Sequence, residues 1–415
     1  MAGRKWRAKR DASWTDQSWL DLVGRVTDLK GAYKQLPRHV AHRCFSIVAL
    51  QTKSGEVQFF EAISLMFGQT AAVYGFLRFS RALAALASGL LLLACIEFFD
   101  DFTQIEPVAT ADSAHEAMES MLELLGWQIS VGEKRLPFAK SFNSLGVNVN
   151  LPKAGDRDLV LKNKEGRVEA IKEAVERVLT SDNLFGFKDA LSFRGRFAFA
   201  EGQTYGRVLA PVARVLSQWS SLGRAMRPTE ELRLALAHGS LHLQHAGPKV
   251  VKPRKDQRPA LIFTDGACED SGTSVGGVLF LDGILEFFGF MVTEEQVDAW
   301  KTKLHQKQVI CQAELYPVLV AKHTWARQLR GRRIIHFVDN EAARLGLVKA
   351  YSPVLLSLSI IMDCLSWDYK NECESWYGRV PSKSNISDGP SRLDFASIKE
   401  EFGGTRVSPV FPGSG

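Results

Sequence analysis

From Ala82 to Phe99 the chain is almost entirely apolar, and the run ends on two adjacent carboxylates, Asp100 and Asp101, before Phe102 resumes it. That arrangement limits the folds open to the chain. The run approaches the length of a membrane span, yet Gly89 divides it and Glu97 sits inside it. A buried helix followed by a buried strand accommodates these features better. The chain then turns at the two acids, in a hairpin that sets ionised groups inside an apolar frame. Such groups need hydrogen-bond partners, counter-charges or a metal ion to offset lost hydration.

The remaining sequence divides into stretches of different character. Residues 1–19 are basic, with Arg4, Lys5, Arg7, Lys9 and Arg10, and lack the apolar core of a secretory leader. Residues 20–152 mix short apolar runs with turn signals such as Lys53-Ser54-Gly55-Glu56, the pattern of paired strands. Residues 153–247 read mainly as helix: within Lys164–Leu179, Val168, Ile171, Val175 and Val178 recur at helical spacing. Residues 248–259 hold three prolines and five lysines or arginines, as an exposed basic linker would. Residues 260–400 alternate strands with helices, and the Gly/Pro/Ser-rich residues 401–415 read as a disordered tail. The expected fold class is therefore multidomain, α/β together with α+β.

Charge and cysteines narrow the partners and the compartment. A net charge of +6 fits a polyanionic partner without requiring one. The six cysteines are scattered with no C-x-x-C pair, so a zinc ribbon, a disulfide framework and a disulfide-linked partner are not expected. An intracellular location, cytoplasmic or nuclear, is the expectation, with a reducing compartment as the default for scattered cysteines. His238, His242 and His245 fall at helical spacing but have no thiolate or carboxylate near them in sequence, which makes a zinc site a poor reading.

Within residues 260–400, Ala260–Thr264 is a β-rich run leading to Asp265-Gly266. Two further strands, Ser274–Leu281 and Ile284–Phe290, meet at the turn Asp282-Gly283. A helix follows whose first turn carries Glu314, and the strand Arg333–Val338 ends on Asp339. Asp388 lies near the end, in Asn385-Ile386-Ser387-Asp388-Gly389-Pro390-Ser391-Arg392. Taken singly, each acid is an ordinary turn or cap residue. If the first and fourth strands lie side by side, however, Asp265 and Asp339 project from one sheet edge, where α/β sheets bind ligands. Glu314 and Asp388 would close the ring. Four carboxylates so close repel one another and raise at least one pKa, a cost that divalent metal removes.

In their order and local context, these motifs resemble the ribonuclease H domain of retroelements over about 140 residues. The resemblance implies an α/β mixed sheet and an enzyme that cuts the RNA strand of an RNA–DNA hybrid. It also implies two Mg²⁺ or Mn²⁺ ions per site, held by Asp265, Glu314, Asp339 and Asp388. Arg379 stands where that family often has a histidine that assists product release.

A second resemblance covers the first half of the chain. Asp28-Leu29-Lys30-Gly31-Ala32-Tyr33, Leu65-Met66-Phe67-Gly68-Gln69, Phe98-Phe99-Asp100-Asp101, Glu133-Lys134 and Leu145-Gly146 are similar to successive palm motifs of reverse transcriptases. Gly195-Arg196-Phe197-Ala198-Phe199, with Gly206-Arg207, is similar to the helical thumb or connection that follows. The whole then resembles a retrotransposon reverse transcriptase with a C-terminal ribonuclease H domain, and its ending resembles the DIRS-like group. This implies that Asp28, Asp100 and Asp101 bind catalytic metals and that Tyr33 gates the incoming sugar. Gly68 and Gln69 would lie near nucleotide and template, and Lys134 near the phosphates. The implied partners are an RNA template, a DNA primer, deoxynucleoside triphosphates and the RNA–DNA hybrid. Phe98 and Met66 depart from the usual tyrosine and proline. Only 27 residues precede Asp28, so most of the fingers region is expected to be absent. Two alternatives stay open: ribonuclease H alone, with the palm as a nucleic-acid platform, or a non-enzymatic nucleic-acid-binding remnant.

Overall fold

A computed structural model describes residues 21–151, 159–180, 183–201, 206–251, 258–304 and 308–413. The basic residues Arg4, Lys5, Arg7, Lys9 and Arg10, and Lys252, Arg254 and Lys255 of the expected linker, lie outside the described residues. The chain is mixed α/β and divides into two compact units, residues 1–164 with 248–253, and residues 165–247 with 254–415. No helix among the described residues is long and apolar enough to cross a membrane.

The first unit starts with β1 (Leu22–Asp28), then the exposed hairpin β2 (Ile47–Gln51) and β3 (Val57–Glu61), and helix α1 (Thr70–Gly89). Hairpin β4 (Cys95–Phe98) and β5 (Asp101–Pro107), helix α2 (Ala111–Leu124), β6 (Ser141–Ser144), β7 (Val147–Asn150) and β8 (Leu159–Asn163) follow. The central sheet runs β1-β5-β4. Ala72, Phe76, Leu83, Ala84 and Ala87 make one apolar stripe of α1, which packs with Phe102, Met118 and Leu122. The helix stops at Gly89 and a strand ending at Phe98 precedes the acids, but the expected burial of that strand is not found: Leu90, Leu92, Ile96 and Phe98 are exposed, and only one stripe of the helix is covered. Arg25 is buried on the helix-facing side of β1, where Glu119 of α2 pairs with it at 3.0 Å. Burying that charge alone would be costly.

The second unit opens with four helices, α3 (Arg167–Thr180), α4 (Phe187–Ala200), α5 (Ala210–Ser221) and α6 (Glu230–His245). Strand β9 (Lys249–Val251) returns to the first unit, where it pairs with β8. The second unit continues with β10 (Ala260–Glu269), β11 (Gly272–Leu281), β12 (Ile284–Met291), α7 (Glu294–Leu304), α8 (Ile310–Thr324) and α9 (Ala326–Leu329). It ends with β13 (Arg333–Val338), α10 (Glu341–Lys349), α11 (Leu355–Lys370), β14 (Glu374–Arg379), α12 (Asp388–Ser391), α13 (Ala396–Phe402) and β15 (Thr405–Arg406). The sheet order is β14-β13-β10-β11-β12-β15. β10, β11 and β12 form an antiparallel meander, whereas β10, β13 and β14 run parallel. Leu358 and Met362 of α11 share a core with Phe197, Leu216 and Leu236 of the helical segment.

Several sequence expectations need correction. The described part of residues 153–247 is mainly helical as expected, but it opens with a strand, Leu159–Asn163, paired with β7. Lys249–Val251, expected within an exposed linker, extends the same sheet. Strands this short show too few alternations to register as a pattern. The tail expected to be disordered is also placed: Thr405–Arg406 pairs with Glu286–Phe287, and the Phe411 ring meets Phe290 edge-on at 5.0 Å. Composition averages over such single aromatic anchors and cannot see a strand partner distant in sequence.

Candidate metal centre

The parallel pairing of β10 with β13 stops at Thr264 opposite Val338, which sets Asp265 and Asp339 side by side just past the end of that ladder. Asp265 is not at the end of its strand, as expected, but inside it, because the antiparallel partner β11 continues to Glu269. Glu314 comes from the second turn of α8 rather than the first. Gly266 explains the helix's close approach: a Cβ there would lie 2.3 Å from the Ala313 carbonyl oxygen. One ligand oxygen from each of Asp265, Glu314 and Asp339 falls within 4.8 Å of the others. Among the described residues no other group of three acids, histidines or cysteines converges in this way.

Electrostatics set this cluster apart. Burial, reinforced by the charges of Asp265 and Asp339, pushes the Glu314 carboxyl up to about 9. Burial likewise raises Asp265 to about 6, against the opposing hydrogen bond from Ser391. Apart from the hydrogen bond between the Glu314 and Asp339 carboxyls, Glu314 Oε2 and Asp339 Oδ1 are buried with no hydrogen-bond partner. Buried oxygens are rarely left so. Hard carboxylate oxygens converging with spare lone pairs are the donor set that Mg²⁺ or Mn²⁺ takes, so the residues fit the ions that the sequence implies.

The last acidic motif supplies the supports. Asn385 Nδ2 donates to the Thr264 carbonyl at 3.2 Å, anchoring the loop beside β10. Ser391 Oγ, fully buried, donates to Asp265 Oδ2 and also contacts the Asp388 carbonyl. Asp388 opens α12 but is not in the converging trio; its Oδ1 accepts from Arg392 Nε at 3.2 Å. Arg392 also pairs with Glu269. In the sequence, Asn385, Ser391 and Arg392 stand within the last acidic motif with no sign of these roles, and nothing marks Glu269. Arg379 is exposed at the end of β14, where its charge acts on Glu341.

The N-terminal acids are also brought near one another. Antiparallel register sets Asp28 directly opposite Asp101, and Leu29 N donates to the Asp100 carbonyl. Phe99, in the turn between β4 and β5, holds a left-handed φ of 57°. Burial raises the carboxyl pKa values of both Asp100 and Asp101, and Asp28 adds to each rise. Asp28 accepts from Ser130 and from Lys134, whose Nζ is 3.0 Å away. Tyr33 is buried between Phe76, stacked at 4.8 Å, and Phe67, tilted at 4.9 Å. Gly68 turns with a φ of 86°, and Gln69 Nε2 donates to Ser46 Oγ at 2.7 Å as α1 begins.

No family model and no curated protein matches the chain. Among solved structures, the foamy viral protease-reverse transcriptase in complex with dsDNA is similar at a TM-score of 0.42 and 15% identity. That likeness covers 91% of this chain and 72% of the other. The dRH form of the same viral protein with dsDNA gives a TM-score of 0.42 and 15% identity, over 86% of this chain and 56% of its own. Values this low supply no residue correspondence.

Proposed function

We propose that the chain is a retroelement-derived, metal-dependent nucleic-acid enzyme whose C-terminal site hydrolyses the RNA strand of an RNA–DNA hybrid. The observation that carries this reading is the buried convergence of Asp265, Glu314 and Asp339. When bound, divalent ions would supply an activated water and a stabilised leaving oxygen. Asp265, Glu314 and Asp339 would hold them, and Asp388 is the fourth acid. Ser391 orients the Asp265 carboxylate through its buried hydroxyl. Glu314, whose carboxyl burial holds protonated, would have to give up its proton to serve as a ligand.

The N-terminal acids support RNA-templated DNA synthesis as the partner activity, with Asp28, Asp100 and Asp101 as metal ligands and Lys134 beside them. Tyr33, Gly68 and Gln69 are assigned to the nucleotide side of that site. A second reading keeps only the nuclease active. It is favoured by the absence of a converged N-terminal trio among the described residues and by the ties of Asp28 to Ser130 and Lys134.

The two readings separate in one set of assays. Mg²⁺-dependent cleavage of a labelled RNA–DNA hybrid is expected from the parent and from an Asp28→Asn/Asp101→Asn variant. Asp265→Asn and Asp339→Asn should each lower it at least about 100-fold, the scale of losing a preorganised charge-stabilising group. Primer extension by the parent, abolished in the Asp28→Asn/Asp101→Asn variant, selects the first reading; none selects the second. A folded parent that cleaves in neither Mg²⁺ nor Mn²⁺ overturns both.

A further inference from the structure

Asp388 is held by an arginine instead of facing the trio. Arg392 Nε lies 3.2 Å from Asp388 Oδ1, and the same guanidinium pairs with Glu269 at the far end of β10. All three side chains are about half exposed, at 52% for Arg392, 50% for Asp388 and 51% for Glu269. The remaining acids converge without Asp388. Asp388 is nevertheless close enough for its charge to act on Asp265. The backbone beneath is fixed, since Ser391 ties α12 to both Asp265 and the Asp388 carbonyl. On that anchored backbone the half-exposed Asp388 side chain is the part left to change partner.

We propose that Arg392 is a substrate-released latch on the fourth acid. It occupies Asp388 until a phosphate of the bound nucleic-acid backbone takes the guanidinium, which frees the carboxylate to complete the metal site. This rests on reading the trio as a metal centre. The chemistry suits the exchange, because guanidinium recognises phosphate and carboxylate with the same planar donor fork. An exposed ion pair is weak and screened by solvent, so a polyanion can displace it. Glu269 then keeps Arg392 near the site instead of letting it swing free. Nucleic-acid binding and completion of the metal site become one coupled event, and ion occupancy at Asp388 depends on substrate.

A double-mutant cycle on the full chain tests this, reading Mn²⁺ affinity from the loss of the free-ion electron paramagnetic resonance signal. Without nucleic acid, Arg392→Gln should tighten Mn²⁺ binding about two- to fivefold, the scale of an exposed ion pair. In an Asp388→Asn background the same substitution should change nothing. Arg392→Lys, which keeps the charge but not the fork, should tighten binding in the same Asp388-dependent way and serves if the glutamine variant does not fold. A hybrid whose RNA strand is 2′-O-methylated should bring the parent to the affinity of Arg392→Gln. Equal tightening in both backgrounds would report only a lost positive charge and would overturn the latch, as would no tightening. Mn²⁺ binding that Asp265→Asn leaves unchanged would sink the metal centre itself, a failure distinct from that of the latch alone.

Discussion

Glu314 carries the most strongly perturbed carboxyl of the candidate centre, raised from 4.5 to about 9 by burial and by its two acidic neighbours. Between those values the folded chain binds a proton that the unfolded chain has lost. Stability of the metal-free protein must then fall as pH rises across that window. Loading with Mg²⁺ displaces the proton and should restore the loss. Glu314→Gln is expected to raise metal-free stability near pH 8 by about 1 kcal/mol or more, or about 2–4 °C in Tm. It should also flatten the slope between pH 6 and 8.5 and abolish cleavage. Thermal unfolding at several pH values, with and without Mg²⁺, reads all of this. The acids themselves were legible in the sequence because their local contexts differ: a strand before Asp265, a helix around Glu314, a strand before Asp339. The attachment of Asp388 to Arg392 was not, since side-chain partners are chosen in three dimensions.

At the scale of elements, glycines decide how closely helices approach the sheet. A Cβ at Gly276 would lie 2.4 Å from the Ser391 backbone nitrogen, and one at Gly289 would lie 2.2 Å from the Pro390 carbonyl oxygen. Strands β11 and β12 thus leave a shallow seat for α12, which delivers Ser391 to Asp265. Gly276→Ala should force α12 outward, costing about 1–3 kcal/mol as overpacking does, and should slow cleavage by displacing Ser391. Gly195→Ala, in open space on α4, should instead be neutral or stabilising by about 0.5–1 kcal/mol. Urea unfolding of the two variants makes the comparison. The meander was readable because its short apolar runs and the Asp282-Gly283 turn are local signals. The full length of β10 and the strand at Thr405–Arg406 were not, because each depends on a partner supplied from elsewhere in the chain.

Taken as a whole molecule, the chain holds two acidic clusters in separate compact units, and their geometry differs. Asp28 and Asp101 are opposed by strand register, with Asp100 adjacent in the turn, whereas Asp265, Glu314 and Asp339 already converge. The boundary between units was legible only in outline. The prolines and basic residues at 248–259 mark a change of composition, but the helical segment at 165–247 belongs to the same unit as the six-stranded sheet. Its apolar residues name no partner; the shared core with Leu358 and Met362 does. The central claim, that the converged trio is a metal centre, is tested most directly by anomalous diffraction from crystals of the full chain soaked in Mn²⁺. The account predicts a peak about 2.0–2.3 Å from oxygens of Asp265, Glu314 and Asp339, the distance range of a hard cation on carboxylates. A well-ordered site with no peak among those three side chains would contradict it.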